Sequence, residues 1–143
     1  MIPLAQTKLH SDTQKGNCFA TCIASILELP IEAVPAFEEL FETYPTQWFG
    51  WCRRYLAGWG IMPVQRDAHL SYDSYYIANG ASPRSREGNL ILHSVIYLNG
   101  KMAHDPHPSG DGILSEDSFI YFLSLNQSPA KANPQISNDK KES

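Results

Sequence analysis

The 143-residue sequence has no long hydrophobic run and no cluster of basic residues. Nowhere do about 18 uncharged apolar residues follow one another, and the start "MIPLAQTKLH" lacks the basic and apolar regions of an export signal. The 11 Lys and Arg residues are scattered among 15 Asp and Glu residues, for a formal net charge of −4. We therefore expect a cytoplasmic protein that spans no membrane and binds no nucleic acid.

Cysteine is also scarce, with only Cys18, Cys22 and Cys52. An odd number of cysteines without the spacing of a disulfide framework favours free thiols or catalysis over bridges. Cys22 and Cys52 lie among apolar and aromatic residues, which predicts that both are packed in the core. Cys18 differs, because Gly16 and Asn17 supply a loop and an N-cap directly before it. Unpaired N–H groups at a helix start stabilise an anion, so we expect the thiol pKa of Cys18 to be lowered.

The sequence contains enough apolar residues for one domain, predicted over residues 1–125 and followed by a disordered polar tail over residues 126–143. The patterns predict helices at 16–29, 35–45 and 45–60, and strands at 61–67, 74–80, 90–98 and 101–105. Residues 115–125 fit either a helix or a strand. Glu38, Glu39 and Glu42 are interpreted as the solvent face of the second helix. The predicted fold class is α+β, with the first helix buried on nearly all sides.

His93 interrupts a strand that is apolar on both faces, where a buried imidazole needs a polar partner. If Asn99-Gly100 forms a two-residue turn after this strand, Leu98 pairs with Lys101 and Asp105 faces away from His93. If Leu98 joins the turn in a three-residue loop, His93 lies directly opposite Asp105, and the carboxylate can hold the ring. We favour the three-residue loop.

Three motifs occur in a suggestive order. A cysteine opens a buried helix in "NCFATCIASILELPIEAVPAF", a histidine lies on a strand in "HSVIYLNG", and an Asp-Pro follows in "HDP". This order resembles the papain-like cysteine peptidase superfamily. Within it, the sequence is similar to the bacteriocin-processing peptidases that are attached to export transporters. It resembles a group of small phage-encoded proteins more closely still. The resemblance implies a papain-like fold, with a central N-terminal helix packed on an antiparallel β-sheet. It also implies a catalytic triad of Cys18 as nucleophile, His93 as base and Asp105 as orienting acid.

The activity implied by this resemblance is that of a thiol hydrolase that cleaves an amide, peptide or isopeptide bond without a cofactor. Deamidation and acyl transfer would use the same three residues. The expected partner is a protein or peptide substrate, with a host protein as one candidate. Papain-like enzymes usually place a glutamine shortly before the nucleophile to bind the oxyanion, and here Gln14 stands four residues before Cys18. Gln14 or Asn17, with the backbone N–H of Cys18, is therefore expected to form the oxyanion hole.

Two other interpretations remain open. The papain-like pocket could belong to a non-catalytic protein that binds or inhibits a host protein, or that binds a small molecule. Less strongly, a pair of cysteines at Cys18 and Cys22 and a pair of histidines at His104 and His107 offer the sulfur and imidazole ligands that zinc prefers.

Overall fold

The computed structural model of the protein describes residues 1–125. Its elements follow in the order α1 (Cys18–Leu27), a 3-10 turn (Ile31–Ala33), α2 (Phe37–Thr43), α3 (Trp48–Ala57), β1 (Ile61–Arg66), β2 (Tyr76–Ala81), β3 (Leu92–Leu98), β4 (Lys101–His104) and β5 (Ser118–Ser124). The prediction of an α+β chain, with its helices before its strands, is confirmed. The tail predicted at 126–143 lies outside the described residues. Within residues 1–125, no helix is both long enough and apolar enough to cross a membrane.

The five strands form one antiparallel sheet in the order β1-β5-β2-β3-β4. β5 comes last in the chain, yet it lies between β1 and β2 and pairs with both. The segment at 115–125, which the sequence leaves undecided between helix and strand, contains this strand. Residues 119–122 are apolar at every position and all buried, because β5 is covered on both faces.

The alternation of side chains along the strands divides the sheet between two apolar clusters. The cluster on the α1 side includes Phe19, Ile23, Ile77, Ile96 and Ile120. The cluster on the other side is mostly aromatic and consists of Tyr76, Ala78, Val95, Tyr97, Phe119 and Tyr121. Burial of one large apolar side chain contributes about 1.5–3 kcal/mol relative to exposure. The two clusters therefore hold α1 against the sheet and fix the positions of the residues at the strand ends.

α1 is enclosed by protein, as its apolar composition predicts, and all its residues from Cys18 to Ser25 are buried. The helix begins and ends two residues inside the predicted bounds. Glu28 ends the helix in the left-handed conformation, with φ of 60°. Its backbone N–H donates to the carbonyl groups of Ala24 and Ser25.

The β3–β4 connection is a two-residue turn at Asn99-Gly100, so the prediction of a three-residue loop is wrong. Leu98 pairs with Lys101, and φ is 54° at Asn99 and 79° at Gly100. Positive φ at both central residues is the type I′ geometry, which matches the twist of a hairpin. Asparagine and glycine adopt this conformation more readily than other residues, and this preference favours the shorter turn.

A β-bulge follows the turn. Tyr97 pairs with Met102, whereas the preceding residue of β3, Ile96, pairs with His104. Ala103 is therefore an extra residue on β4, and the register of the hairpin shifts by one residue beyond it. A one-residue shift moves every later side chain to the other face of the sheet.

This shift decides where the carboxylate after β4 points. In the register of the turn alone, Asp105 would lie opposite Ser94 and on the other face from His93. In the register beyond Ala103, Asp105 follows on the same face as His93. The bulge, rather than the expected three-residue loop, thus makes their contact possible.

Candidate active site

The predicted base and its orienting acid are in direct contact. Nε2 of His93 lies 2.7 Å from Oδ1 of Asp105, and both side chains are almost fully buried, with 4% and 2% of their surface exposed. The N–H of His107 also donates to Oδ1 at 2.9 Å, and the N–H of Gly112 donates to Oδ2 at 2.8 Å. Burial alone would raise the pKa of Asp105, but these three hydrogen bonds outweigh it and hold the pKa below its usual value. Asp105 is therefore an ionised acceptor.

The segment that carries Gly112 is held in place where it crosses Gly80, the partner of His93 on β2. A Cβ atom at Gly80 would lie 1.7 Å from the backbone oxygen of Ser115, so only glycine leaves room for the crossing. The hydroxyl oxygen of Ser115 accepts the N–H of Ala81 at 3.0 Å. This crossing keeps the N–H of Gly112 directed at the carboxylate.

Cys18 packs against β3 at the residue that follows His93. The backbone and the side chain of Ser94 act to lower the pKa of Cys18, which places the sulfur beside that residue, and Cys18 is 8% exposed. Among the hydrogen bonds of residues 1–125, none joins Cys18 to His93. The sulfur therefore lies on the α1 side of β3, whereas His93 and Asp105 meet on the opposite face, which also carries Val95 and Tyr97. The structure joins the predicted base to its orienting acid and does not place the predicted nucleophile in contact with them.

The thiol of Cys18 is not activated in this conformation. Burial, and after it the negative charge of Glu38, raise the pKa of Cys18 to about 12, against opposing hydrogen bonds from Ser94 and Phe19. The prediction of a lowered thiol pKa is therefore wrong. The physical reason is that the start of α1 is enclosed by protein and already holds a carboxylate.

The other two thiols lie in the core, as predicted. Cys22 and Cys52 are both 0% exposed, and neither forms a disulfide. Burial raises the pKa of Cys22 well above its usual value and that of Cys52 to about 12. Buried thiols of this kind react slowly, so these two cysteines serve as internal references for Cys18.

Glu38 supplies the cap that Asn17 was expected to provide. Its Oε2 accepts the N–H of Phe19 at 2.5 Å and the N–H of Ala20 at 3.0 Å, while the side chain of Asn17 makes no bond to the helix. The interpretation of Glu38 as a solvent-facing residue is therefore wrong. No local pattern reveals this role, because the carboxylate comes from a different helix, α2.

The two amides expected to form the oxyanion hole are bonded elsewhere. Oδ1 of Asn17 accepts the backbone N–H groups of residues 7 and 8 at 3.1 and 3.0 Å, and its Nδ2 donates to the hydroxyl of Thr7. Gln14 is exposed, and its Nε2 donates to the carbonyl of Leu9 at 2.8 Å. In the part of the chain that the structure describes, no hydrogen bond uses the backbone N–H of Cys18. Of the three donors expected to form the oxyanion hole, the side chains of Gln14 and Asn17 are therefore occupied, and the backbone N–H of Cys18 remains available to an oxyanion.

Gln6 is a polar residue beside the site that the sequence does not single out. Its backbone N–H donates to the carbonyl of Pro106 at 2.9 Å, and its Nε2 donates to the carbonyl of Lys8 at 2.8 Å. Its Oε1 is buried and has no partner among residues 1–125. Nε2 also lies 3.3 Å from the point where a side chain on Gly16 would begin. Gln6 thus lies between the loop that precedes α1 and the turn that follows β4, a position that only the tertiary fold creates.

The histidines of the zinc interpretation are engaged separately. Nε2 of His104 is bonded to the carbonyl of Leu4 at 2.7 Å, and Nδ1 of His107 is bonded to the hydroxyl of Ser109 at 2.9 Å. The ring of His107 lies 6.1 Å from that of His93 and nearly perpendicular to it. Within residues 1–125, no three side chains of His, Cys, Asp or Glu are placed to hold a metal ion. The zinc interpretation therefore has no geometric support.

The comparison with known proteins gives no match to a family model, to a curated protein or to a solved structure.

Proposed function

We propose that the protein is a papain-like thiol hydrolase that cleaves an amide, peptide or isopeptide bond in a protein or peptide. Cys18 is the nucleophile, His93 the general base and Asp105 the residue that orients the imidazole. The observation that carries the proposal is the buried hydrogen bond between Nε2 of His93 and Oδ1 of Asp105. A nucleophilic cysteine needs such an imidazole, held by a third group, near the start of its helix.

Asp105 determines which nitrogen of His93 acts as the base. An ionised carboxylate only accepts hydrogen bonds, so the proton of the neutral imidazole is on Nε2. Nδ1 then carries a lone pair, and none of the hydrogen bonds of residues 1–125 uses it. Nδ1 is therefore the atom that takes the thiol proton.

Substrate binding has to bring the sulfur and Nδ1 together. The sulfur lies beside Ser94 on the α1 side of the sheet, whereas His93, the preceding residue of β3, points to the other face together with Val95 and Tyr97. Catalytic hydrogen bonds are often long in a free enzyme and tighten only in the complex with substrate. The proposal therefore requires the first residues of β3 to rearrange, because a change of side-chain rotamer alone leaves the imidazole on the face of the sheet opposite the sulfur.

The reaction then follows from these roles. As the sulfur attacks the carbonyl carbon, its proton moves to Nδ1, and the backbone N–H of Cys18 donates to the oxyanion. The C–N bond breaks, and Nδ1 returns the proton to the leaving amine. Water, deprotonated by Nδ1, hydrolyses the thioester and releases the acid and the free thiol. An amine in place of water would give acyl transfer.

The test compares His93→Ala with the matched variant His104→Ala. Each protein is incubated with p-nitrophenyl acetate, the acylation rate is measured from the release of p-nitrophenolate in the first turnover, and acetylation of Cys18 is assigned by peptide mass spectrometry of acid-quenched samples. We expect acetylation in wild type and His104→Ala, and a rate lower by about 10²-fold or more in His93→Ala, because the general base is lost. Equal rates in wild type and in a folded His93→Ala variant would refute the proposal.

A non-catalytic binding module is the second candidate, and the state of the thiol favours it. Cys18 is 8% exposed, and burial raises its pKa to about 12, so the sulfur of the free protein is not poised to react. The same assay separates the two functions. A binding module gives no acetylation of Cys18 above that of Cys22 and Cys52, whereas a hydrolase does.

A further inference from the structure

Glu38 connects α2 to the reactive end of α1. It lies in the first turn of α2, and its Oε2 accepts the N–H groups of Phe19 and Ala20. These N–H groups follow Cys18 directly and form part of the positive end of the α1 dipole. The carboxylate therefore occupies the place that would otherwise stabilise a negative charge on the sulfur.

This carboxylate has no ion-pair partner in residues 1–125. Its Oε1 is buried there and has no hydrogen-bond partner. Lys8 and Lys15 line the same cavity as Glu38, but their ammonium groups lie 3.8 Å from Glu39 and 3.9 Å from Glu42. A buried, unpaired carboxylate is a costly way to cap a helix, because a serine or asparagine at the N-cap does so without a charge.

The charged and titratable groups around Glu38 come from several elements. A cavity of about 200 Å³ beside it is lined by the charged residues Lys8, Lys15, Glu32 and Glu39. On α1, burial raises the pKa of Cys18 and the charge of Glu38 raises it further. The pKa of Cys22 is raised by burial first, then by Cys18, and after them by Glu38 and Asp105. Burial also raises the pKa of Glu38 itself, while the N–H groups of α1 oppose that rise.

We propose that Glu38 is a positioning residue that regulates the thiol: its carboxylate holds the first N–H groups of α1 and keeps Cys18 protonated in the free protein. This proposal rests on the proposed function for its catalytic meaning. Cys18 does not form a resident thiolate and imidazolium pair. The proton leaves the sulfur only when a bound carbonyl accepts the electron pair and His93 accepts the proton.

This arrangement has a chemical consequence. A thiol that stays protonated reacts slowly with solution electrophiles, although a sulfur of high pKa is a stronger nucleophile once its proton is removed. Glu38 therefore limits the background reactivity of the free protein without weakening the attack on a bound substrate.

The test measures how the rate of carboxamidomethylation of Cys18 by iodoacetamide depends on pH, with peptide mass spectrometry to assign the site. Glu38→Gln keeps the size and one acceptor oxygen of the side chain but removes its charge. We expect the midpoint of its profile to lie lower than in wild type by about one pH unit or more, since a nearby like charge shifts a pKa by about that amount. The corresponding rate below the midpoint is about tenfold higher.

Glu39→Gln is the matched control, because it removes the same charge from the next residue, whose side chain is 59% exposed and pairs with Lys8. We expect its midpoint to stay within about 0.3 pH units of wild type, as surface charges are screened. The midpoint, rather than the rate at one pH, is the decisive quantity, because easier opening of the site would change the rate equally at every pH. Equal midpoints in wild type and Glu38→Gln, or equal shifts in both variants, would overturn the proposal.

If Glu38→Gln does not fold, as judged by circular dichroism, the wild type alone can still overturn the proposal. We expect no Cys18 thiolate in wild type below about pH 8, measured by its alkylation profile and by thiolate absorbance, because the unperturbed thiol pKa is about 8.5 and Glu38 opposes ionisation. A midpoint for Cys18 below about pH 8 would overturn the proposal. The outcome is separate from that of the His93→Ala test. If the His93→Ala test refutes the hydrolase, the effect of the Glu38 charge on the Cys18 alkylation profile can still be measured. If acylation depends on His93 but the Glu38→Gln profile is not shifted, only the role of Glu38 is refuted.

Discussion

Gly80→Ala tests whether the crossing beneath β2 supports the His93–Asp105 pair. The new Cβ atom would lie 1.7 Å from the backbone oxygen of Ser115, against about 3.4 Å for an ordinary contact, so the crossing segment must move by about 1.7 Å. Because the obstacle is backbone, a change of rotamer cannot relieve the clash. The segment that contains Ser115 therefore has to leave β2.

Three hydrogen bonds give the magnitude of this effect. Leu114 donates to the carbonyl of Ala81 at 2.8 Å, Asp117 donates to the carbonyl of Asn79 at 2.9 Å, and Ala81 donates to the hydroxyl of Ser115 at 3.0 Å. At about 1 kcal/mol net for each bond, their loss lowers the free energy of unfolding by about 3 kcal/mol. The N–H of Gly112 moves with the segment, so Asp105 loses one of its donors as well.

Urea unfolding, followed by circular dichroism, measures the change in the free energy of unfolding. Gly50→Ala is the control, because Gly50 lies within α3 and a Cβ atom there would meet nothing within 4 Å. We expect that variant to be more stable than wild type by about 0.5–1 kcal/mol, from helix propensity alone. A loss of less than about 1 kcal/mol in Gly80→Ala would refute the reasoning, since the crossing would then be free to shift.

Two further predictions concern the same pair. The lowered pKa of folded Asp105 stabilises the protein above the unfolded value of about 3.9, and this stabilisation is lost as the pH falls through the folded pKa. The free energy of unfolding should therefore fall less between about pH 6 and pH 3 in Asp105→Asn than in wild type, and equal falls would contradict this account. Deletion of Ala103 should remove the bulge, turn Asp105 away from His93 and increase modification of that imidazole by diethyl pyrocarbonate, whereas unchanged protection would show that the register does not set the contact.

The features that could be predicted from the sequence are those set by neighbouring residues. α1 follows from its apolar composition and from the loop before it, and the hairpin follows from a β-branched run that ends at Asn99-Gly100. The same local chemistry favours the two-residue turn that forms, because both residues tolerate positive φ. The contact between His93 and Asp105 could also be predicted, although it depends on the bulge at Ala103 and not on the expected three-residue loop.

The remaining features depend on the tertiary fold. The bulge at Ala103 leaves no mark in the sequence of β4, since alanine fits a regular strand as well. Glu38 looks like a surface residue of α2 until α1 packs beside it, and Gln6 reaches the site through the path of a loop. The strand in 115–125 could not be distinguished from a helix, because burial on both faces removes the alternation that identifies strands.

The position of β5 has a consequence for how the protein is made. β1 pairs with β5 and, among the strands within residues 1–125, with no other, so β1 has no sheet to join until residues 118–124 have been synthesised. The helices are translated first, and their apolar sides stay exposed until the sheet forms. Folding of the sheet is therefore completed only after β5 has left the ribosome, and premature termination before β5 yields a product that chaperones and proteases will treat as unfolded.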